Sequence, residues 1–329
     1  MRWFRTVCGA ALAATLCLGP AGTAGAAGHT GGPGSTTVGG SGATTTVQGD
    51  GSDLEAAGAY WTPERMAAAV TAEAGREAAA RSAAGLPAAA DGATADGAAA
   101  DAAKSSANRT VGRVFYTNPV TQQDGTCSAG AISSPSRMMV VTAGHCIVTG
   151  GSGYHGQTPN WFRTRWIYVP AYNGADPYPY GFFTMKRARA FVDWVDDASP
   201  EADVAFVTVN PNAQGQKVVD ATGANALTWN QTAEVSLTAY GYPGNVDNGE
   251  YQVDCTRTIE SRVLVPLLIE MPCNLIGQGA SGGPWLWTDP KTFVTSVNGV
   301  TSTYEDGRIF SPYFNDNVHT MWLNQGSVT

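Results

Sequence analysis

A serine flanked by glycines is the part of the sequence best suited to chemistry. Ser281 lies in the segment Gly-Ala-Ser-Gly-Gly-Pro, residues 279–284. Because glycine has no Cβ, its backbone can approach a ligand closely and leave the serine hydroxyl and neighbouring N–H groups accessible. A serine hydroxyl becomes a nucleophile only when a base removes its proton and a third group orients that base. The segment therefore directs attention to the histidines and acids of the chain.

His145 is the best candidate for the base among the four histidines of the sequence. It follows an apolar run and adjoins Cys146, which could pin it. A lone histidine in such a place is more often a buried structural residue, but here the serine segment accompanies it. Asp203 opens the apolar run 204–209 and is the candidate orienting acid, although an acid that merely caps a strand fits the same pattern. Three alternative acids lie in a polar loop and fit less well: Asp193, Asp196 and Asp197.

These residues must be positioned by β structure. Short β-favouring runs are separated by Gly, Pro, Asn and Asp, and a helical periodicity is visible near the C-terminus, over 315–324. Such spacing predicts an all-β sandwich or barrel. The predicted strands are 111–116, 138–142, 204–209, 234–240, 262–270 and 293–303.

Composition narrows the functional class. The chain has 329 residues and a net charge of −8, with 43% hydrophobic and 14% charged residues. Without a basic patch it is not expected to bind nucleic acid. Residues 1–26 contain two arginines, a short apolar run and Ala-Gly-Ala, which predicts a cleaved secretory signal and therefore a secreted protein without a membrane anchor.

The region 27–109 is predicted to be a propeptide or flexible N-terminal region with one short helix. Residues 27–53 are rich in Gly, Ser and Thr and have too little apolar surface to order by burial. Thr62, Pro63 and Glu64 are a helix-start signal, followed by an Ala-rich stretch to residue 81. Residues 82–108 return to low complexity. The remaining residues, 110–329, form the predicted functional domain.

Four cysteines lie beyond the predicted signal, an even number that indicates disulfides in an exported chain. Of the three possible pairings, the sequential one, Cys127–Cys146 and Cys255–Cys273, closes two short loops and is favoured. A zinc site formed by Cys127, His145 and Cys146 is the alternative. It is disfavoured because adjacent residues of a strand point to opposite faces and no Cys-x-x-Cys spacing is present. No cofactor is expected.

Together these segments resemble the chymotrypsin/trypsin-like serine peptidases. The resemblance is carried by Cys127, by Thr-Ala-Gly-His-Cys at 142–146, by Asp-Val-Ala-Phe at 203–206 and by the serine segment 279–284. The order His, Asp, Ser along the chain is that of the superfamily. Within it, the segments 168–174, 240–243 and 311–314 are most similar to the secreted bacterial glutamyl endopeptidase-like branch.

The resemblance covers about 110–329 and implies two six-stranded antiparallel β-barrels with a C-terminal helix and the active site between them. It implies an endopeptidase that acts as a monomer on protein or peptide substrates through an acyl-enzyme. His145 would remove the proton of Ser281, Asp203 would orient the imidazole, and the N–H groups of Gly279 and Ser281 would bind the oxyanion.

Two departures from trypsin bear on activation and specificity. Ala280 replaces the aspartate that pairs with a new N-terminus in trypsin-like enzymes, so activation must differ. Residues 273–278 contain no acid for a Lys or Arg side chain. The strand that holds a histidine in glutamyl endopeptidases corresponds here to 293–304, without a histidine. The predicted pocket is therefore polar and uncharged, favouring acidic or small-to-medium neutral side chains, with four candidate substrate-binding residues: Ser296, Asn298, Thr301 and Ser302.

Two rival hypotheses remain at the level of sequence. Residues 279–283 also satisfy the Gly-x-Ser-x-Gly pattern of α/β-hydrolase esterases, with Asp306 or Asp316 and then His319 as partners. Pro284 and Pro290 oppose the helix that this pattern requires after the serine. A secreted β-barrel that binds without catalysis is the second rival.

Overall fold

The computed structural model describes residues 42–51, 54–83, 107–151, 162–231, 235–259, 267–273, 279–305 and 307–329. The predicted signal 1–26, the low-complexity stretch 84–106 and the segment 274–278 before the serine lie outside these residues. Within them the chain is mostly antiparallel β structure, as the sequence predicted. The described residues form fifteen strands: β1 (Thr44–Gln48), β2 (Val111–Thr117), β3 (Asp124–Ile132), β4 (Met139–Thr142), β5 (Thr164–Pro170), β6 (Phe183–Phe191), β7 (Ala205–Val209), β8 (Ala226–Leu227), β9 (Ser236–Gly241), β10 (Val253–Thr258), β11 (Leu268–Pro272), β12 (Pro284–Thr288), β13 (Thr295–Val300), β14 (Thr303–Glu305) and β15 (Arg308–Pro312).

Strands β2 to β7 close into a six-stranded barrel. The strand order is β6-β5-β2-β3-β4-β7, and β7 pairs back with β6, so the barrel has no free edge between its first and last strands. Its interior is filled by small and β-branched side chains such as Ala129, Val140 and Val207. This barrel carries both His145 and Asp203, on the segments that follow β4 and precede β7.

The second half of the chain forms two further sheets that carry Ser281. One has the order β10-β9-β12-β13-β8, and the other has β11-β15-β14. They pack around a shared core that includes Leu237, Met271, Trp285 and Ile309. The predicted double-barrel architecture is confirmed, with the difference that the described residues of the second half pair as two sheets and include the short strands β8 and β14.

The described residues also form five α-helices: α1 (Leu54–Tyr60), α2 (Pro63–Ala83), α3 (Val192–Asp197), α4 (Val218–Thr222) and α5 (Asp316–Gly326). The predicted C-terminal helix is confirmed as α5. The residue before it, Asn315, is the N-cap, and its side chain accepts hydrogen bonds from the N–H groups of Asn317 and Val318. Its apolar face packs Val318 and Met321 against β4 and β7.

The N-terminal region differs from the sequence prediction in two ways. It contains two helices rather than one, and the polar stretch predicted to remain unstructured includes strand β1. This strand pairs antiparallel with the second half of β6, from Thr44 opposite Phe191 to Gln48 opposite Arg187. Backbone pairing with an existing strand orders this segment, and Val47 adds a contact with the core of the first barrel. The start signal of α2 is confirmed, because Thr62 Oγ1 accepts from Arg65 N at 3.3 Å.

The two N-terminal helices are packed against the first barrel. Trp61, between them, is completely buried, as is Met66, and both lie in one cluster with Phe115 and Tyr172. The indole Nε1 of Trp61 donates to the carbonyl oxygen of Arg165 at 2.6 Å. The segment is thus held by a fully desolvated aromatic anchor as well as by strand pairing.

The sequential disulfide pairing is confirmed. Cys127 is bonded to Cys146 with a Cα–Cα distance of 6.1 Å, and Cys255 to Cys273 with a Cα–Cα distance of 6.3 Å. The α/β-hydrolase hypothesis is wrong, because strand β12 and not a helix follows Ser281, at Pro284. Among the helices of the described residues, none has the length and apolarity needed to cross a membrane.

Candidate active site

His145 lies in a short turn that follows strand β4 of the first barrel. A single turn of 3-10 helix, Gly144–Cys146, follows the strand. Gly144 is required there, because a Cβ at this position would lie 2.8 Å from Trp194 Cδ1 and 3.0 Å from Asp203 Oδ1. The disulfide from Cys146 to Cys127 anchors the far side of the turn. The imidazole is part-buried, with its side chain 27% exposed.

Asp203 meets His145 at two points. Its Oδ2 lies 2.8 Å from His145 Nδ1, and its Oδ1 accepts from the backbone N–H of His145 at 2.8 Å. Asp203 follows a 3-10 turn, Pro200–Ala202, and precedes β7. It is completely buried. Two bonds to one residue fix the position of the turn and the rotation of the ring together.

A third hydrogen bond to the carboxylate comes from the second half of the molecule. Ser302 Oγ donates to Asp203 Oδ2 at 2.6 Å. Burial by itself raises the pKa of Asp203 and is the largest single influence on it. The attraction of His145 and the hydrogen bonds from His145 and Ser302 together outweigh burial and lower the pKa of Asp203 below its ordinary value. The acid is therefore held ionised where it faces the imidazole.

Ser281 is brought next to the turn that carries His145. The carbonyl oxygen of Ser281 lies 3.5 Å from Cys146 Sγ and accepts from Ser128 N at 2.7 Å. Ser281 is flanked by glycines with positive φ angles, +89° at Gly279 and +80° at Gly282. This left-handed backbone favours glycine, and a Cβ at Gly279 would also lie 2.6 Å from the carbonyl oxygen of Tyr242.

Neighbouring residues fix the segment after Ser281. Gly283 N donates to the carbonyl oxygen of Ala280 at 2.8 Å, which closes a tight turn around Ser281. Gly282 N donates to the carbonyl oxygen of Thr301 at 2.7 Å, and Thr301 N donates back to the carbonyl oxygen of Gly283 at 2.9 Å. The turn is therefore joined to the strand region that contains the predicted substrate-binding residues.

Two of those four residues use their hydroxyls within the protein, which corrects the sequence-based expectation. Ser302 bonds to Asp203, and Thr301 Oγ1 accepts from Trp285 Nε1 at 3.0 Å. Ser296 and Asn298 are both buried in β13, 6% and 2% exposed. Asn298 Nδ2 has no hydrogen-bond partner among the described residues. The alternation of β13 could not show in advance which of these groups faces a ligand and which faces the core.

Sequence reasoning missed Ser302 as a partner of Asp203. It also missed Trp194, whose ring centroid lies 6.1 Å from that of His145 and whose Nε1 donates to the carbonyl oxygen of Val148 at 3.1 Å. No local signal marks either residue. The alternative metal cluster of Cys127, His145 and Cys146 is brought together in space, but the two cysteines are bonded to each other and offer no thiolate to a metal.

Comparison with known proteins gives a structural likeness. No protein-family model matches the sequence, and no curated protein matches it either. Among solved structures, the protease Anisep from Arthrobacter nicotinovorans is 26% identical, with a TM-score of 0.59, over 68% of this chain and 99% of that one. A thermostable serine protease, AL20, from an extremophilic microorganism gives the same identity, coverage and TM-score. The chain has the chymotrypsin-like serine peptidase fold.

A Glu endopeptidase has the same fold at 15% identity, with a TM-score of 0.52, over 67% of this chain and 92% of that one. The resemblance to bacterial serine proteases expected from the motifs is thereby confirmed. In this serine peptidase fold, the bond between His145 and Asp203 lies on the first barrel, and the Ser281 turn lies on the sheets of the second half.

Proposed function

We propose that this protein is a serine endopeptidase that cleaves peptide bonds through Ser281, His145 and Asp203. The observation that carries the proposal is the pair of bonds from a buried, ionised Asp203 to His145, next to a glycine-flanked serine. The alternative, that Asp203 only caps a strand, does not account for its partner, an imidazole whose side chain is 27% exposed and therefore accessible to a ligand. Protein substrates follow from the fold, and we propose that the enzyme acts on them as a monomer.

The chemistry begins with proton transfer. Asp203 accepts a hydrogen bond from the Nδ1–H of His145 and so holds the tautomer whose Nε2 carries a lone pair. That Nε2 takes the proton from Ser281. The Ser281 oxygen attacks the carbonyl carbon, and the resulting imidazolium is stabilised by the ionised carboxylate. His145 then returns the proton to the leaving amine, and water attacks the acyl-enzyme by the same route.

The negative oxygen of the tetrahedral intermediate requires donors that are already oriented. We assign this role to the N–H groups of Gly279 and Ser281. The turn closed by Gly283 N and the carbonyl oxygen of Ala280 supports the assignment, because it sets the peptide plane that contains Ser281 N.

The decisive experiment treats the protein with a fluorophosphonate and a peptide substrate. Ser281→Ala should abolish both labelling and hydrolysis and leave the thermal unfolding unchanged. Ser327→Ala, an exposed serine after the last helix, is the matched control and should behave as wild type. Labelling or hydrolysis that persists in Ser281→Ala contradicts the assignment, and an unlabelled, inactive wild-type protein favours a non-catalytic binding protein.

We further propose that the enzyme is secreted and made as a pre-pro-protein. The signal-like residues 1–26 and the two disulfides support export. Maturation is proposed within the low-complexity region after α2, and N-terminal sequencing of the secreted protein should begin between about Ala83 and Val111. A fully active enzyme that begins near Ala27 would contradict removal of a propeptide.

For specificity we propose a polar, uncharged pocket that disfavours Lys and Arg. Residues 273–278 contain no acid, and a cationic side chain buried without a partner is costly. Acidic or small-to-medium neutral residues are the expected choices on the acyl side of the cleaved bond. Cleavage profiling with a peptide library tests this, and a profile dominated by Arg and Lys would overturn it.

A further inference from the structure

The turn before Ser281 lacks the acid that trypsin-like enzymes use to hold it. Ala280 is completely buried in the core of the second half, and a Cβ added at Gly241 would lie 2.6 Å from its methyl group. The space beside residue 280 is therefore filled by apolar packing. An ion pair with a new N-terminus cannot form at this residue, so another group must hold the turn.

Ser128 provides contacts on both sides of Ala280. It lies in β3 of the first barrel, is completely buried, and follows the disulfide-bonded Cys127. Its N–H donates to the carbonyl oxygen of Ser281 at 2.7 Å. Its hydroxyl donates to the carbonyl oxygen of Gly279 at 2.9 Å. One residue thus holds the peptide groups before and after Ala280.

Ser128 is itself held at two further points. Its Oγ accepts from Tyr242 N at 3.1 Å, and its carbonyl oxygen accepts from Thr142 Oγ1 at 2.8 Å. Tyr242 follows β9 of the second half, and Thr142 ends the strand that leads to His145. The serine hydroxyl therefore has both a donor and an acceptor in fixed positions, which leaves it one orientation.

Arg113 supports the same junction from the neighbouring strand. It lies directly opposite Ser128 in the pairing of β2 with β3, and it is completely buried. Its Nη1 donates to the carbonyl oxygen of Gly249, and its Nη2 donates to Thr126 Oγ1 at 2.9 Å. The turn at Gly249 is thereby tied to the barrel that carries Ser128.

These bonds act on the part of the turn that faces the oxyanion. With its carbonyl oxygen held by Ser128, the peptide group that joins Gly279, a glycine with a φ of +89°, to Ala280 has a fixed orientation. The carbonyl oxygen of Ser281 is also held by Ser128, and the carbonyl oxygen of Ala280 accepts from Gly283 N. The peptide group between Ala280 and Ser281 is therefore fixed, and the N–H of Ser281 points in one direction.

We propose that Ser128 is a positioning residue that holds Gly279 to Ser281 in the oxyanion-binding conformation and takes the place of the N-terminal ion pair. The proposal rests on the proposed peptidase function. It implies that the geometry of the oxyanion site does not depend on a newly formed N-terminus.

The test compares Ser128→Ala with Ser311→Ala in the secreted protein as it is recovered after maturation. Ser311 is a matched control, since it is also completely buried and its hydroxyl accepts one backbone N–H, from Val300, and donates to one carbonyl, of Pro312, both at 2.9 Å. Both variants lose one internal hydroxyl with two bonds. The measurements are kcat and KM on a peptide, the affinity for a peptide boronate that forms a tetrahedral adduct, and thermal unfolding.

Removal of a direct oxyanion donor lowers kcat by about 10²–10³-fold. Because Ser128 acts through the turn, we expect Ser128→Ala to lower kcat by about 10–100-fold. Boronate affinity should fall in proportion to kcat/KM, with KM changed by less than about threefold and the shape of the pH profile unchanged. Ser311→Ala should lower the unfolding temperature with wild-type kcat.

Equal kcat values for Ser128→Ala and wild type would overturn the proposal, whatever the loss of stability. If Ser128→Ala does not fold, Ser128→Cys keeps the size of the side chain with a weaker donor and acceptor, and a kcat and boronate affinity equal to wild type in that variant would overturn the proposal equally. An inactive wild-type protein that is not labelled at Ser281 would contradict the proposed function instead.

Discussion

Replacement of Asp203 by asparagine tests the proposed orienting role of this carboxylate. The substitution keeps the shape of the side chain and removes its charge. Oδ2 currently accepts from His145 Nδ1 at 2.8 Å and from Ser302 Oγ at 2.6 Å, while Oδ1 accepts from His145 N. If the amide oxygen of the asparagine accepts from the backbone N–H of His145, the NH2 group of the amide faces His145 Nδ1 and Ser302 Oγ, which are both donors in the wild type. The imidazole then carries its proton on Nε2 and cannot accept one from Ser281.

The magnitude follows from the two bonds lost at Oδ2. Hydrogen bonds to a charged group contribute about 1.5–3 kcal/mol each, so two contribute about 3–6 kcal/mol. If the transition state depends on both, kcat falls by about 10²–10⁴-fold, at 1.36 kcal/mol for each factor of ten. KM should change little, because Asp203 is completely buried and therefore out of reach of a substrate in the cleft.

The assay is steady-state peptide hydrolysis with the active-site concentration set by fluorophosphonate titration. Asp220→Asn is the control, since this carboxylate is 39% exposed and pairs with Arg137 on the surface. It should keep wild-type kcat within about twofold, in line with the small energies of surface ion pairs. A kcat for Asp203→Asn within tenfold of wild type would refute the reasoning, and a normal unfolding temperature would exclude misfolding as the cause of a larger loss.

Three further predictions concern stability. Trp61→Ala should lower the free energy of unfolding by about 3–5 kcal/mol, as measured by urea denaturation, because the indole is completely buried, whereas Trp61→Phe should lose less; a loss below about 1 kcal/mol would mean that the N-terminal helices do not anchor the barrel. Because the folded-state pKa of Asp203 lies below its ordinary 3.8, its contribution to stability is fully present above that pH and is lost only as the pH falls further. Asp203→Asn should accordingly show a shallower loss of stability below pH 3.8, and an equally steep loss would contradict the pKa direction. Removing the disulfide with Cys255→Ser and Cys273→Ser should cost roughly 3 kcal/mol, measured by thermal unfolding, and an unchanged transition would show that this loop is already constrained.

The sequence by itself determined the class of fold and located the residues of the candidate site. His145 and Ser281 are recognisable because each lies in a segment whose neighbours have local reasons to be there: an apolar strand before the histidine, and glycines with positive φ angles around the serine. Strands β2, β4, β7 and β9 and the last helix follow from patterns of a few residues, so they too were predicted along the chain, whereas β3, β5 and β6 were not. The disulfide pairing could be predicted because the four cysteines beyond the signal allow only three pairings.

Tertiary structure alone decided which polar groups serve the site. Ser302 was expected to face substrate and instead bonds to Asp203, 99 positions away, while Ser128 bonds to Gly279 at a separation of 151. Each of these hydroxyls has several possible partners, and only the packing of the two halves selects one. The strand at Thr44–Gln48 was missed for a related reason. Its pairing with β6 is made through the backbone, and the sequence of the segment does not show which strand it will meet.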